Sequence, residues 1–251
     1  MVNISAMSTQ SLRQYHRSLV LRLIADGTAT RTDLAAAIGL SSMGVTRIVT
    51  ELMDAGLILT RGKRSNERGP GRHSTELEIN SNGAYFIGVT ISAFTNELVC
   101  ADAVGKIRHR VPFACEDISN VDDVVDAIAS ALENLLKLSQ IDRNQVLGMG
   151  ATVAGIIDQS SGTATRADYL GWKNVPLAKK LKRATGFDVV IENFANALNA
   201  SKHRFGVANR SESTLLVSAA TTCGSSFLQA GAPLRGFTNE AGQLGHKRVA
   251  T

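Results

Sequence analysis

Cysteine is scarce in this sequence: only Cys100, Cys115 and Cys223 occur, an odd number, far apart and without CxxC spacing. Such a set excludes a disulfide framework and a cysteine metal cage, and it predicts three small buried hydrophobes. Long apolar runs are missing as well. No window approaches the roughly 18–20 unbroken apolar residues of a membrane helix, and Met1 to Gln10 is too polar for a signal peptide, so a cytoplasmic protein with no membrane partner is expected. An acidic excess is also absent, since 27 Lys+Arg face 22 Asp+Glu for a net charge of +5. What is present is 251 residues, 44% apolar and 20% charged, room for one large or two unequal domains and not the make-up of a stapled mini-protein or a disordered tail. The charge is uneven. Residues 1–75 hold 10 Lys+Arg and 5 Asp+Glu, so the first third carries the whole excess and the remainder, with 17 of each sign, is neutral.

In that basic third, Leu12, Tyr15, Leu19, Leu23 and Ile24 recur at helical spacing and predict a helix that stops at Asp26-Gly27. Thr30-Arg31-Thr32-Asp33 places a carboxylate three residues after a hydroxyl, a capped start for a short helix through Leu34 to Ile38. After a break at Gly39-Leu40-Ser41, Ser41 caps a third helix with Val45, Ile48, Val49 and Leu52 at i, i+3, i+4 and i+7. Two short helices joined by a three-residue turn with glycine form the pattern of a helix-turn-helix. The strands Leu57–Thr60 and Glu76–Ile79 flank a Gly/Arg-rich run from Arg61 to Arg72, which completes a wing. A solvated hairpin loop is the competing reading of that run. Its position after a helix-turn-helix, in the segment that carries all the excess charge, favours DNA binding.

Candidate DNA contacts are Arg31, Ser42, Met43, Gly44, Thr46 and Arg47 on the helices, with Lys63, Arg64, Arg68, Gly71 and Arg72 in the wing. Small and hydrogen-bonding residues at the start of the third helix suit close approach to a major groove. Thr46 and Arg47 are assigned to base edges, and Lys63, Arg64 and Arg68 to phosphate or the groove floor. A winged helix covers few base pairs, so a homodimer or higher homo-oligomer on a two-fold symmetric operator follows. His16 and His73 show no partner pattern and read as surface residues. Residues 1–79 make up this domain, residues 80–84 a polar linker, and residues 85–251 a second domain.

The second domain reads as α/β. Strands are predicted at Tyr85–Ile91, Leu98–Ala103 and Ile107–Val111, followed by a helix opening at Ser119-Asn120. A strand Val146–Val153, a Gly/Asp turn, a helix Leu177–Thr185, a strand Val189–Ile191 and a helix Ala195–Phe205 come next, and a second lobe starts at Thr214–Ala220. In order along the chain stand the Gly71-Arg72 wing, the Gly88-Val89 strand, Gly155-Ile156-Ile157-Asp158, Leu170-Gly171-Trp172, Glu192-Asn193-Phe194-Ala195-Asn196-Ala197 and Leu244-Gly245-His246.

This series resembles the ROK family of repressors, open reading frames and kinases, from about Leu12 onward. The resemblance implies an actin/hexokinase-like (ribonuclease H-like) two-lobed domain, a first lobe over about 85–190 and the start of a second over about 191–251. Family members are sugar kinases or, when a winged helix precedes the domain, sugar-responsive regulators. Kinase members carry an Asp and a Gly-Gly-Thr turn in the first hairpin; here Thr90-Ile91-Ser92-Ala93-Phe94-Thr95 stand instead. Their catalytic Asp after the Glu-Asn pair is Phe194, which cannot accept a proton, and their second Gly-rich phosphate loop is Ala220-Thr221-Thr222-Cys223-Gly224. No catalytic residue, no cofactor and no enzymatic activity are therefore expected.

By the same resemblance, Gly155, Asn193, Gln243 and His246 fall at effector positions, and Gly171 at the pocket wall. Tyr169 replaces a usual Asn, and Gln243 a usual Glu. With Phe194 these changes remove about two carboxylate acceptors, each hydrogen bond to a charged group contributing roughly 1.5–3 kcal/mol. An altered, more apolar sugar or sugar-derived effector is one outcome and no effector the other. Trp172 is assigned to packing. In the family the His at position 246 is joined by a cysteine cluster on zinc and by the rest of the second lobe; neither lies within these 251 residues, which are either a fragment or a truncated member, so no metal site and an incomplete second lobe are expected in them, with dimerisation or marginal stability there. Three readings stand: a transcription repressor with a catalytically inactive domain, an ATP-dependent sugar kinase, and a DNA-binding protein without a small-molecule response.

Overall fold

The computed structural model describes residues 8–27, 30–64, 74–209, 211–219 and 223–246. Its contacts divide the chain into two compact units, Met1–Tyr85 with the turn Asp102–Lys106, and Phe86–Ala101 with Ile107–Thr251.

The first unit contains α1 (Thr9–Ala25), α2 (Arg31–Ile38), α3 (Ser42–Asp54), β1 (Ile58–Arg64) and β2 (Ser74–Ile79). Each helix starts on a hydroxyl. Ser8, Thr30 and Ser41 accept the backbone N–H groups of Ser11, Asp33 and Gly44, donors that a first helical turn otherwise leaves open. Thr30 also donates its hydroxyl to Asp33 Oδ2 at 2.7 Å, and the hydroxyl and carboxylate three residues apart lock together. Gly39 closes α2 at a φ of 74°, a left-handed conformation in which a Cβ is strained. Val20, Ile24, Leu34, Val45, Val49, Leu52, Ile58 and Leu77 form the core. On α1 the buried residues are Val20 and the predicted Ile24, while Leu12, Tyr15, Leu19 and Leu23 are only half-buried. Apolar side chains lie on more than one side of this helix, so periodicity alone does not determine which side faces inward. The strands β1 and β2 pair antiparallel, with Ile58 opposite Ile79, and a single bridge from Thr30 to Glu76 ties the start of α2 to the wing. Asn80, read as linker, belongs to this unit: its side-chain amide donates to Gly56 O at 2.7 Å and its N–H to Leu57 O at 2.9 Å.

The second unit runs β3 (Tyr85–Ile91), β4 (Glu97–Asp102), β5 (Ile107–Pro112), α4 (Val121–Ser139), β6 (Val146–Val153), β7 (Ile156–Asp158), β8 (Thr163–Ala167), β9 (Trp172–Val175), α5 (Leu177–Thr185), β10 (Val189–Asn193), α6 (Phe194–Phe205), β11 (Ser213–Ala219), β12 (Cys223–Gln229) and β13 (Ala232–Pro233). Its main sheet has the order β10-β6-β3-β4-β5, with β6 and β10 parallel and Val153 beside Asn193. The helix α4 buries Val124, Val125, Ile128, Leu132, Leu135 and Leu136, the stripe its sequence predicts. Where a Gly/Asp turn was expected after Val153, the chain builds the antiparallel sheet β7-β8-β9. Strands of three to five residues are too short for an alternating pattern to register.

The cysteine expectation is corrected too. Cys100 is buried, Cys115 is half-buried and Cys223 is exposed. Cys223 opens β12 opposite Ala219, on the face of the β11-β12-β13 sheet that also exposes Leu215, Val217 and Phe227. Residue chemistry does not tell which face of a sheet is covered, and here the opposite face packs on α6.

Candidate functional site

On α3 the inward turn of Val45, Val49 and Leu52 leaves Ser42, Met43, Thr46 and Arg47 outward, with the Arg47 side chain 70% exposed. Gly44 sits over the capping Ser41 hydroxyl. Arg31, at the start of α2, is placed differently. Its Nη2 lies 3.7 Å from the Met53 sulfur, and its Nε is buried without a hydrogen-bond partner among the described residues. Lys63 and Arg64 fall in β1, whereas Arg68, Gly71 and Arg72 lie outside the described residues.

The residue that the sequence reading missed on this face is Glu51, one helical turn after Arg47. Its Oε1 accepts from Arg47 Nε at 3.2 Å and from Arg13 Nη2 at 2.9 Å, while Oε2 accepts from both Nε and Nη2 of Arg17. The Arg17 hydrogen bond, with the charges of Arg17 and Arg13, outweighs desolvation and holds the Glu51 carboxyl below its ordinary range. The i, i+4 spacing of Arg47 and Glu51 was a visible signal; the two α1 partners are not local.

In the second unit the C-terminal ends of β3, β6 and β10, the turn after β3, and β12 enclose a cleft of about 470 Å³. Of the proposed effector residues, Gly155, Asn193 and Gln243 line it, and the His246 side chain lies outside the described residues. Gly171 ends a short 3-10 turn in a left-handed conformation and is likewise not part of the lining. A Cβ on Gly155 would stand 2.3 Å from the Arg166 carbonyl oxygen, so only glycine permits this approach of β8. Asn193 caps α6. Its Oδ1 accepts from the N–H groups of Ala195 and Asn196 at 2.8 and 3.3 Å, and its Nδ2 donates to Gly155 O at 2.7 Å. Trp172 is buried and donates its indole N–H to Ile118 O at 3.0 Å, a packing role.

Beside the cap, Glu192 receives Arg235 on both oxygens, at 2.8 and 2.7 Å, together with the Asn193 N–H and the Asn196 amide. Burial pushes its carboxyl up, but these hydrogen bonds and the Arg235 charge leave it below its ordinary value. Glu192 lies in a motif the sequence reading noted; Arg235, 43 residues on, carried no signal. Phe94, Tyr169 and Phe194 expose ring surface among the lining residues. Among the described residues, no group of three or more His, Cys, Asp or Glu could hold a metal ion, and no helix is long and apolar enough to cross a membrane.

A model of the ROK family matches residues 86–251. The chain belongs to the ROK family. A winged helix-turn-helix DNA-binding model matches residues 12–58, so a winged helix precedes the ROK domain. The xylose repressor of Caldicellulosiruptor bescii is 24% identical over 95% of this chain and 59% of its own length. A crystal structure of a ROK family transcriptional regulator, a homolog of E. coli Mlc, has the same fold with a TM-score of 0.80 at 23% identity, over 95% of this chain and 60% of its own. A ROK family glucokinase from Streptomyces griseus, solved with glucose and AMPPNP, aligns over 66% of this chain and 51% of its own, with a TM-score of 0.58 at 27% identity. This ROK chain thus spans about 60% of the length of those regulators and contains part of the second lobe of the actin-like kinase fold.

Proposed function

We propose that this ROK protein is a cytoplasmic DNA-binding transcription regulator of the repressor type, a homodimer on a two-fold symmetric operator, whose ROK domain binds a sugar-derived effector and does not phosphorylate it. The observation that carries this reading is the turn after β3 in a chain that also presents an outward-facing recognition helix. In that turn Ser92 Oγ accepts the N–H groups of Phe94 and Thr95 at 3.1 and 2.8 Å, and Ser92 N–H donates to Asn96 Oδ1 at 2.8 Å. Amides satisfied within a turn do not cradle phosphate. The lining carboxylates Glu97 and Asp168 pair with Arg110 at 3.1 Å and Arg166 at 3.4 Å, and Phe194 opens α6 with an aromatic ring. Phenylalanine at that position cannot accept a proton.

The effector class follows from the lining. Asn193 is engaged as a cap, and Phe94, Tyr169 and Phe194 offer flat apolar surface, which favours a sugar carrying an alkyl or aryl substituent over a free monosaccharide. Incubation of the full chain with ATP and a panel of monosaccharides tests the inactive domain: no sugar-dependent ADP release is expected, and sustained turnover would refute it. Selection from a random duplex pool tests the regulator, with an inverted repeat expected; a pool that enriches no motif rejects it. Calorimetry with paired free and substituted sugars tests the effector, since heat from neither set removes the sensing role.

A further inference from the structure

Glu51 is one carboxylate serving three guanidiniums, which leaves two positive charges in excess beside the recognition helix. The three contacts are unequal. Arg17 binds one oxygen through two nitrogens, Arg13 binds the other at 2.9 Å, and Arg47 shares that second oxygen at 3.2 Å with the most exposed side chain of the three. Arg47 is therefore the arginine most readily released to another acceptor. Since Arg47 lies on the outward face of α3, Arg13 and Arg17 of α1 stand at its edge, where a duplex backbone along that face would meet them.

We propose that Glu51 is a positioning residue that holds these three arginines at the rim of the recognition surface, sets the balance between sequence-dependent and sequence-independent affinity for duplex DNA, and makes Arg13 and Arg17 a phosphate-binding site on α1. The proposal rests on the DNA-binding reading above. Tying the arginines to one carboxylate limits their non-specific attraction to phosphate and keeps Arg47 extended along the helix. Without the carboxylate all three are free to follow any backbone.

The test uses the full chain. Wild type, Glu51→Gln, Arg47→Ala and the double variant are titrated by fluorescence anisotropy over a potassium chloride series, and thermal unfolding of each is recorded. The probes are the duplex that wild type enriches from a random pool and a random-sequence duplex. Glu51→Gln is expected to bind the random duplex several-fold more tightly, with a log-log salt slope more negative by about 1 to 2, as one or two further phosphates are neutralised. Its preference for the selected duplex should shrink, and Arg47→Ala should lower selectivity less in the Glu51→Gln background than in wild type. A parallel loss on both duplexes with a lowered unfolding midpoint would mark Glu51 as a structural link between α1 and α3 and overturn the proposal, as would unchanged affinities and slope. Arg13→Gln/Arg17→Gln addresses the same point with the carboxylate intact: random-duplex affinity should fall and the slope flatten by about 1 to 2, and an unaltered slope overturns the phosphate site. Wild type that binds neither duplex removes the DNA-binding reading and this proposal together. Wild type that binds normally while both variants match it removes this proposal alone.

Discussion

Arg47 and Glu192 are both ionised side chains held by neighbours, yet their removal should be read by different measurements. Arg47→Ala takes one exposed guanidinium from the outward face of α3. Affinity for a selected duplex should fall by about 1–3 kcal/mol while random-duplex binding changes little, and equal losses on both would refute its assignment to a base edge. Glu192 acts on stability. Its folded carboxyl titrates below the ordinary 4.5, so its contribution is complete above about pH 4.5 and is lost as pH falls through the lowered value. Thermal midpoints of wild type should therefore drop in acid. Glu192→Gln should be less stable than wild type at neutral pH and flatter across the acid window; a variant whose midpoint tracks wild type at every pH would show that the Arg235 pair contributes nothing. The sequence offered the acid at 192 as part of a motif, but its partner was hidden, because Arg235 reaches it only through the fold of the second lobe.

Among the elements, those with local instructions were readable and those without were not. The starts of α2, α3 and α4 follow Thr30, Ser41 and Asn120, each of which accepts a backbone N–H two or three residues on. The strand β6 and helix α5 were legible over their full spans, Val146–Val153 and Leu177–Thr185. The meander β7-β8-β9 was not, because its strands are stabilised by pairing across turns and carry no long alternating pattern. Gly155 makes that meander possible. Gly155→Ala should force β8 back from the end of β6, at a cost of about 1–3 kcal/mol in a denaturant titration, since the colliding atom is backbone and cannot rotate away. Unchanged stability would mean that the Arg166 carbonyl yields without loss.

For the whole molecule the division of charge is the governing feature, with +5 on residues 1–75 and none net on the rest. Salt dependence of DNA binding should then belong to the first unit alone. Lys63→Gln should flatten the log-log slope by about 0.9 for one lost phosphate contact, whereas Lys179→Gln, in the helix α5 of the ROK domain, should leave it unaltered. A slope that responds to Lys179 would place the neutral domain against DNA.

The sequence by itself determined the capped helices, the basic winged helix ahead of an α/β domain, and the aromatic residue where a kinase of this family has its base. These depend on neighbours within a few residues: a hydroxyl and the N–H it accepts, a repeat at helical spacing, a residue type that cannot take a proton. Only the tertiary structure decided that Arg31 packs on Met53, that Arg235 pairs with Glu192, and that Glu51 gathers arginines 34 and 38 residues away. The crossing of α1 over α3 and the return of the second lobe onto β10 bring those groups together, and such pairings are set by the packing of whole elements, which no local pattern records.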